Sequence, residues 1–416
     1  MVADFRRATD RPDAASIDDD NAVQAVSDWL VAQGLLTADF DPMFSGFCEH
    51  LIAAGIPLWR AQISMRTLHP TIASIAFIWR PGSGIETANY DYTDTESGAF
   101  LRSPFYHLLE SGQSAQRYSL EDGVSQKFPI LEEFRIAGAT DYYLRRVEFS
   151  FNSSGKTETG VFASWTSDRP GGFSDRDIAT LDRLLPRLAL SLKSTLTYQF
   201  AGNLMETYVG RDAGRRILDG DIRLGSTEVL RAVLVFADLR GFTRLADSAP
   251  RDELITTLNS YFDCMVGPIT DHGGQVLKFI GDGLLAVFDL SDGTNESVCQ
   301  SSLAAAVTAI KAARDLNASR AKAGLAELRL NLALHLGDVH YGNIGSGGRQ
   351  DFTVIGPAVN EASRIERLCR PLERDLLISE SFARAATDCS DHLVSLGYHP
   401  LRGVREPQEL FTVDLI

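Results

Sequence analysis

Early in the chain, apolar residues recur at helical spacing from Ala22 to Leu36 and again from Phe44 to Ala54, with Gly34 and Gly55 as stops. Four strand-like runs follow: Ala61–Met65, Ile72–Trp79, Tyr142–Phe149 and Gly160–Trp165. Gly, Ser, Asp and Pro clusters such as R80-P-G-S-G84 separate them. A closing helix opens at F173-S-D-R-D177, a polar cap with acids near the helix N-terminus. Helices, then strands, then a helix predict one α+β domain. In the closing helix Ile178, Leu181, Leu185, Leu188 and Leu192 follow a 3-4-3-4 spacing, which fits a coiled-coil seam or packing on the helix's own domain. Pro186 falls inside that seam and should kink it. Leu196, Phe200, Leu204 and Tyr208 carry the apolar stripe on to Gly210, and a charged connector, Arg211 to Gly220, follows.

From Leu230 the pattern changes to alternating strands and helices. Val233–Asp238 reads as a buried strand and Asp252–Val266 as an amphipathic helix. Gln275–Ile280 and Leu284–Phe288 are two apolar runs joined by Gly-Asp-Gly, a hairpin signal. Ser297–Leu316 is an Ala-rich helix, Leu328–Leu336 a strand, and a hairpin leads on to Phe352–Ile355. A helix starts at Pro357, a residue suited to the first helical position, and runs to Cys369. The order β-α-β-β-α-β predicts a split βαβ of ferredoxin-like type with elements appended. The chain therefore divides into a polar, disordered tail (1–20), an α+β domain (21–195), a helical linker (196–224) and the split βαβ domain (225–416).

A chain of 416 residues suits two domains, and its 44% apolar and 23% charged residues are those of an ordinary globular protein. The formal charge of −15 argues against nucleic acid or an anionic membrane as partner, so a phosphate-bearing ligand needs local cations or metals. Five widely spaced cysteines form no C-x-x-C pair, so neither a zinc site nor a disulfide framework is expected. Residues 1–20 lack the apolar core of a secretory signal, and no apolar run is long enough to span a membrane. These features predict a cytoplasmic protein.

Asp238 in V235-F-A-D-L-R-G-F-T243 and Asp282 in K278-F-I-G-D-G283 each stand where a buried run stops and a glycine turn begins. Each alone could simply close a strand. On neighbouring strands of a split βαβ they would lie side by side, and two carboxylates that close repel unless they share cations. Oxygen ligands suit Mg²⁺ or Mn²⁺, and two such ions can bridge a triphosphate. The glycine of L239-R-G-F-T243 lets backbone N–H groups approach phosphate oxygens. Asn360 and Arg364 are four apart on one helix face, where a solvated face is the simpler account. Lys278 and Thr353 sit in strands, and Arg402 in a loop, with no reason of their own to be functional. His335 and His340 are spaced poorly for a metal pair and read as packing residues.

Taken in order, these segments resemble the catalytic domain of class III nucleotidyl cyclases over roughly 225–416. The matching stretches are F236-A-D-L-R-G-F-T243, K278-F-I-G-D-G283, H335-L-G with G342-N-I-G345, D351-F-T-V-I-G356, V359-N-E-A-S-R364 and L401-R-G403. The resemblance implies that Asp238 and Asp282 bind two metal ions, Mg²⁺ or Mn²⁺, with the Leu239 carbonyl assisting. It gives the Phe242 and Thr243 backbone N–H groups to the phosphates, and Asn360 and Arg364 to the ribose and the transition-state phosphoryl group. Arg402 would meet the terminal phosphates, where the family more often has lysine. Base choice would rest on Lys278 and Thr353. A lysine can donate to the unprotonated N1 of adenine but confronts the N1–H of guanine with a second donor, which favours ATP.

The implied reaction is attack of the ATP 3′-hydroxyl on its own α-phosphorus, giving 3′,5′-cyclic AMP and pyrophosphate, by positioning and charge stabilisation. In the family the metal carboxylates and the Asn/Arg pair face each other across a head-to-tail dimer. A homodimer with two composite sites is therefore expected. The alternatives are the same reaction on GTP or a pyrimidine triphosphate, and a nucleotide-binding regulator without activity. G172-F-S-D-R-D177 and the helix after it resemble the end of a GAF-type sensor, which implies a regulatory domain with a small-molecule ligand. Trp59, Trp79, Tyr90, Tyr92, Tyr106, Tyr142 and Tyr143 would either line its pocket or serve as ordinary core and surface aromatics.

Overall fold

Two helices, α1 (Asp19–Leu36) and α2 (Phe40–Ala53), open the computed structural model. Asp39 caps α2 by accepting from the Asp41 amide. The structure describes residues 19–36, 39–67, 69, 71–95, 98–121, 127–149, 159–291, 293–387 and 392–414. The tail expected over 1–20 lies outside the described residues as far as residue 18, and Asp19 and Asp20 already belong to α1. The chain divides into two units, Met1–Leu204 and Met205–Ile416, each with its own core.

The first unit continues with β1 (Arg60–Arg66), β2 (Ile72–Arg80) and β3 (Gly84–Asp91). Short helices α3 (Tyr92–Thr95), α4 (Gly98–Leu101) and α5 (Pro104–Ser111) precede β4 (Ala115–Ser119) and α6 (Pro129–Ile136). Strands β5 (Asp141–Phe149) and β6 (Thr159–Ser167) and helix α7 (Asp175–Val209) complete it. The antiparallel sheet has the order β3-β2-β1-β6-β5-β4. Because successive strand residues point to opposite faces, Ala61, Ile63, Phe77, Trp79, Ala163 and Trp165 pack with the apolar residues of α1, α2 and α7. Tyr142 and Leu144 turn to the other face, against Leu108 of α5 and Leu131 and Phe134 of α6.

Sequence pattern missed β3 and β4, because neither alternates clearly: β3 is largely exposed and β4 is mostly polar. The leucine seam is settled by packing. Leu181, Leu185, Leu188 and Leu192 are all 0% exposed and lie in the core of their own unit, so the coiled-coil alternative is not the one adopted. Pro186 sits within the continuous span of α7.

The entry to α7 is fixed by an ion pair between exposed Arg117 and buried Asp141. Arg117 of β4 donates to Asp141 Oδ2 from Nε at 2.9 Å and from Nη2 at 2.7 Å, and the Phe173 amide donates to the same oxygen at 2.9 Å. Gly172, at φ +73°, leaves room for that carboxylate, since a Cβ there would fall 2.4 Å from Asp141 Oδ2.

The second unit begins with the end of α7 and α8 (Arg211–Leu218), followed by β7 (Thr227–Arg240), α9 (Phe242–Ser248) and α10 (Arg251–Asp271). Then come β8 (Gln275–Ile280), β9 (Gly283–Asp289), α11 (Asn295–Lys322), β10 (Arg329–Ser346) and β11 (Arg349–Ile355). Helices α12 (Pro357–Leu368) and α13 (Glu380–Ala385) and strands β12 (Leu376–Ser379), β13 (Leu393–His399) and β14 (Gln408–Val413) close the unit. The sheet order is β13-β14-β12-β10-β7-β9-β8, with β11 paired to β10. Strand β9 lies between β7 and β8 and is antiparallel to both.

One face of this sheet packs with Tyr261, Met265 and Ile269 of α10 and Leu303, Ala306 and Ile310 of α11. The other packs with Ala213 of α8 and with Ala358 and Ala362 of α12. With both faces covered, V233-L-V235 is apolar without alternation, as a doubly buried strand must be. The architecture of the chain is mixed α+β.

All four tryptophans, Trp29, Trp59, Trp79 and Trp165, belong to the first unit, so tryptophan fluorescence reports its unfolding alone. Leu188→Ala would leave a cavity under α7 and is expected to destabilise that unit by about 2–5 kcal/mol. Urea denaturation followed by tryptophan emission checks this. An unchanged midpoint would mean that Leu188 is not a core residue.

Candidate active site

Asp238 stands near the end of β7, opposite Asn331 of β10 in the strand register. The β8–β9 hairpin presents its turn at the same place. Ile280 pairs with Gly283, leaving Gly281 and Asp282 as the two-residue turn, and Gly281 adopts φ +64°. A Cβ on Gly283 would lie 2.2 Å from the Ala237 carbonyl oxygen and 3.2 Å from Asp238 Oδ1. Only glycine lets the turn come this close to β7, and that approach puts Asp282 beside Asp238.

Both aspartates are half-buried. Burial first, and the Asp282 charge second, raise the Asp238 pKa above the ordinary carboxylate value, while a backbone hydrogen bond at Leu239 and the Arg367 charge oppose the rise. The chain continues through buried Leu239 and Arg240 to Gly241 at φ +99°, which begins α9. Phe242, half-buried, and Thr243, exposed, are the first residues of that helix.

A third carboxyl group, Glu366 of α12, was not singled out from the sequence. It is 7% exposed, and Asn331 Nδ2 reaches its Oε1 at 3.5 Å. Burial foremost, then the charges of Asp238 and Asp282, push its pKa up to about 7, with Asn331 and Arg367 opposing. The available signal was an acid placed directly after buried Ile365 on the inward side of α12. Among the described residues no group of three or more His, Cys, Asp or Glu side chains could hold a metal ion. The chain offers two neighbouring carboxylates that repel each other, oxygen ligands of the kind a hard divalent cation takes.

Helix α12 carries the remaining polar candidates. Pro357 occupies its first turn after Gly356. Asn360 is exposed and Arg364 half-buried. The loop from Leu401 to Val404 passes the Arg364 guanidinium, since a Cβ on Gly403 would lie 3.6 Å from both of its terminal nitrogens. Arg402 in that loop is exposed. Lys278, on β8, is half-buried, and β8 comes within 8 Å of β11, the strand of Thr353. Thr353 is 4% exposed and its hydroxyl is buried without a hydrogen-bond partner among the described residues.

The structure therefore brings Asp238 and Asp282 together, and Arg364 with the Arg402 loop. His335 and His340 both fall on β10, five apart and so on opposite faces. His335 is buried, 3.6 Å from a Glu361 carboxylate oxygen, and burial lowers its pKa; His340 is exposed.

Residues 226–414 match the family model described as the adenylate and guanylate cyclase catalytic domain. An adenylate cyclase of Anabaena cylindrica is 34% identical over 164 residues, which cover 39% of this chain and 32% of that protein. The chain thus spans about a third of the length of that relative. The crystal structure of the adenylyl cyclase CyaB from P. aeruginosa has 25% identity and a TM-score of 0.42, covering 45% of this chain and 95% of that one. For the crystal structure of the guanylyl cyclase Cya2 the values are 29% and 0.39, covering 45% and 93%.

The pKa of Glu366 makes a prediction that needs no bound metal. Its folded value of about 7 lies above the ordinary 4.5, so the folded state holds an extra proton between those limits. Stability should therefore fall as pH rises from about 4.5 to 7. Glu366→Gln, which keeps an acceptor for Asn331, is expected to flatten that fall and to stabilise the second unit by roughly 2–3 kcal/mol at pH 8. Urea denaturation in EDTA followed by circular dichroism tests it. An unchanged pH profile would place Glu366 outside the acidic cluster.

Proposed function

Through residues 226–414 the chain belongs to the class III nucleotidyl cyclases, and we propose that it is an adenylate cyclase converting ATP to 3′,5′-cyclic AMP and pyrophosphate. The observation that carries this reading is the approach of Asp238 to Asp282 at the Gly283 turn. Asp238 and Asp282, with the Leu239 carbonyl, would hold two Mg²⁺ or Mn²⁺ ions. When bound, such ions neutralise the triphosphate and polarise the attacked phosphoryl group. The backbone N–H groups of Phe242 and Thr243 would receive the phosphates at the start of α9, and Arg402 would meet their terminal end.

In the reaction the ribose 3′-oxygen forms a bond to the α-phosphorus and gives up its proton to water. The bond from that phosphorus to the bridging oxygen of the pyrophosphate breaks. No protein nucleophile is needed, and the chain's part is orientation and charge stabilisation. Asn360 steadies the ribose and Arg364 the charge developing on the phosphoryl oxygens. Lys278 donates to adenine N1. The Thr353 hydroxyl, which has no hydrogen-bond partner among the described residues, would take up a hydrogen bond from or to the base. This pair favours ATP over GTP.

The protein works as a homodimer with two composite sites, one protomer contributing the carboxylates and its partner Asn360 and Arg364. The strand order β10-β7-β9-β8 supports the split βαβ reading of residues 225–416. Residues 21–195 form a GAF-like sensor joined to it by the helical segment 196–224. No helix among the described residues is long and apolar enough to cross a membrane. Use of ATP agrees with a cytoplasmic location.

Incubation with each of the four nucleoside triphosphates and Mn²⁺, with product identification, tests the reading. Cyclic AMP is the expected main product, and EDTA should stop its formation. Asp282→Ala is expected to lower turnover by at least roughly 10²–10³-fold while the far-UV spectrum stays unchanged. A folded dimer that makes no cyclic nucleotide would overturn the assignment, and preference for another triphosphate would overturn the choice of ATP.

A further inference from the structure

Arg60 begins β1 on the face of the first unit's sheet shared with Tyr142, and it is 6% exposed. Its Nη2 donates to Gln62 Oε1 at 2.5 Å, and its guanidinium lies 5.0 Å from the centre of the Phe134 ring. Its Nε is buried with no hydrogen-bond partner among the described residues. The acid that acts on it, Glu86, is exposed and is the weakest of the influences on its charge, whereas burial lowers its pKa to about 10. Arg60 therefore remains a buried cation at neutral pH, with no ion-pair partner among the described residues.

Two hydroxyls near it also lack a partner among the described residues. In the strand register Thr166 lies opposite Arg60, Tyr142 opposite Thr166, and Ser164 opposite Gln62. Thr166 and Ser164 are both 0% exposed, and neither hydroxyl has a hydrogen-bond partner among the described residues. Burial pushes the Tyr142 phenol up to about 12, with the Ser164 hydroxyl and the Arg60 charge opposing the rise. Arg80, stacked 5.3 Å over the Trp59 ring, adds a second positive charge that Arg60 feels. Buried polar groups are normally satisfied, and a buried charge is normally paired. Here a buried positive charge has an idle N–H, and two hydroxyls that can each donate lie beside it, a combination complementary to an anion.

We propose that this face of the N-terminal sheet binds the anionic group, a carboxylate or a phosphate, of a small molecule. Arg60 is its charge partner, and the hydroxyls of Thr166, Ser164 and Tyr142 are further donors to it. The inference does not depend on the reaction of the second unit.

Isothermal titration of the full chain with inorganic phosphate, and separately with acetate, tests the proposal and distinguishes the two sources of charge. Saturable binding of one of them is expected, weakened at least about tenfold in Arg60→Met. Binding of neither anion, or binding that Arg60→Met leaves unchanged, overturns it. Thr166→Val keeps the shape, removes the idle hydroxyl and guards against misfolding of the arginine variant. It is expected to melt no lower than the wild type in anion-free buffer and to weaken the anion about 3–10-fold. A markedly lower melting temperature, or unaltered anion binding, would show that the hydroxyl is not part of such a site.

Discussion

Repulsion between carboxylates organises the second unit. Asp238 comes from β7 and Asp282 from the β8–β9 turn, and they are held in one corner because Gly283 lets backbone pass the Ala237 carbonyl where a methyl group could not fit. Burial foremost, and the neighbouring acid charges after it, raise the Asp238 pKa and push buried Glu366 to about 7. Nothing in the hydrophobic packing of β7, β9 and β10 requires acids at these positions. A fold that places them there loses stability at neutral pH unless cations arrive. That local loss, at the mouth of an otherwise apolar sheet, is the physical reason to read the corner as a site.

The acidic corner has a counterpart of opposite sign in the first unit. Around Arg60 the buried charge is positive, whereas at Asp238 and Asp282 it is negative. The overall charge of −15 hides this difference, because it sums surface residues that have little to do with either place. Local charge within a core, unlike net charge, cannot be diluted by solvent.

Legibility in the sequence followed the strength of local signals. The Gly-Asp-Gly hairpin, the run from Val233 and the helix at Pro357 carry turn and period signals and stand at the expected places, β7 and β9 with longer ends and the helix one residue short of Cys369. Strand β10 runs on to Ser346, well past the predicted end at Leu336, because Gly337 and Asp338 read as a break while long-range pairing with β7 continues through them. The polar strand β4 and the short helices between β3 and β5 were not legible, since tertiary contacts rather than period hold them. In the candidate site Asp238 and Asp282 could be paired from their turns. Glu366 and Asn331 could not, because a buried polar pair looks like an interruption in an apolar pattern. Arg60 escaped for the same reason: at a strand end it looks like an ordinary surface cation.

Helix α7 has its buried residues confined to the span from Asp177 to Leu196, whereas Glu206, Thr207 and Tyr208 near its end are exposed. Its first half is held by a core and capped by acids, while its end relies more on the propagation of backbone hydrogen bonds already begun upstream. The division between the units, at Leu204 and Met205, falls in that second half. The boundary is thus drawn along a gradient of local stability within one helix, where fraying of a few turns, rather than the rupture of a core, is the least costly disturbance.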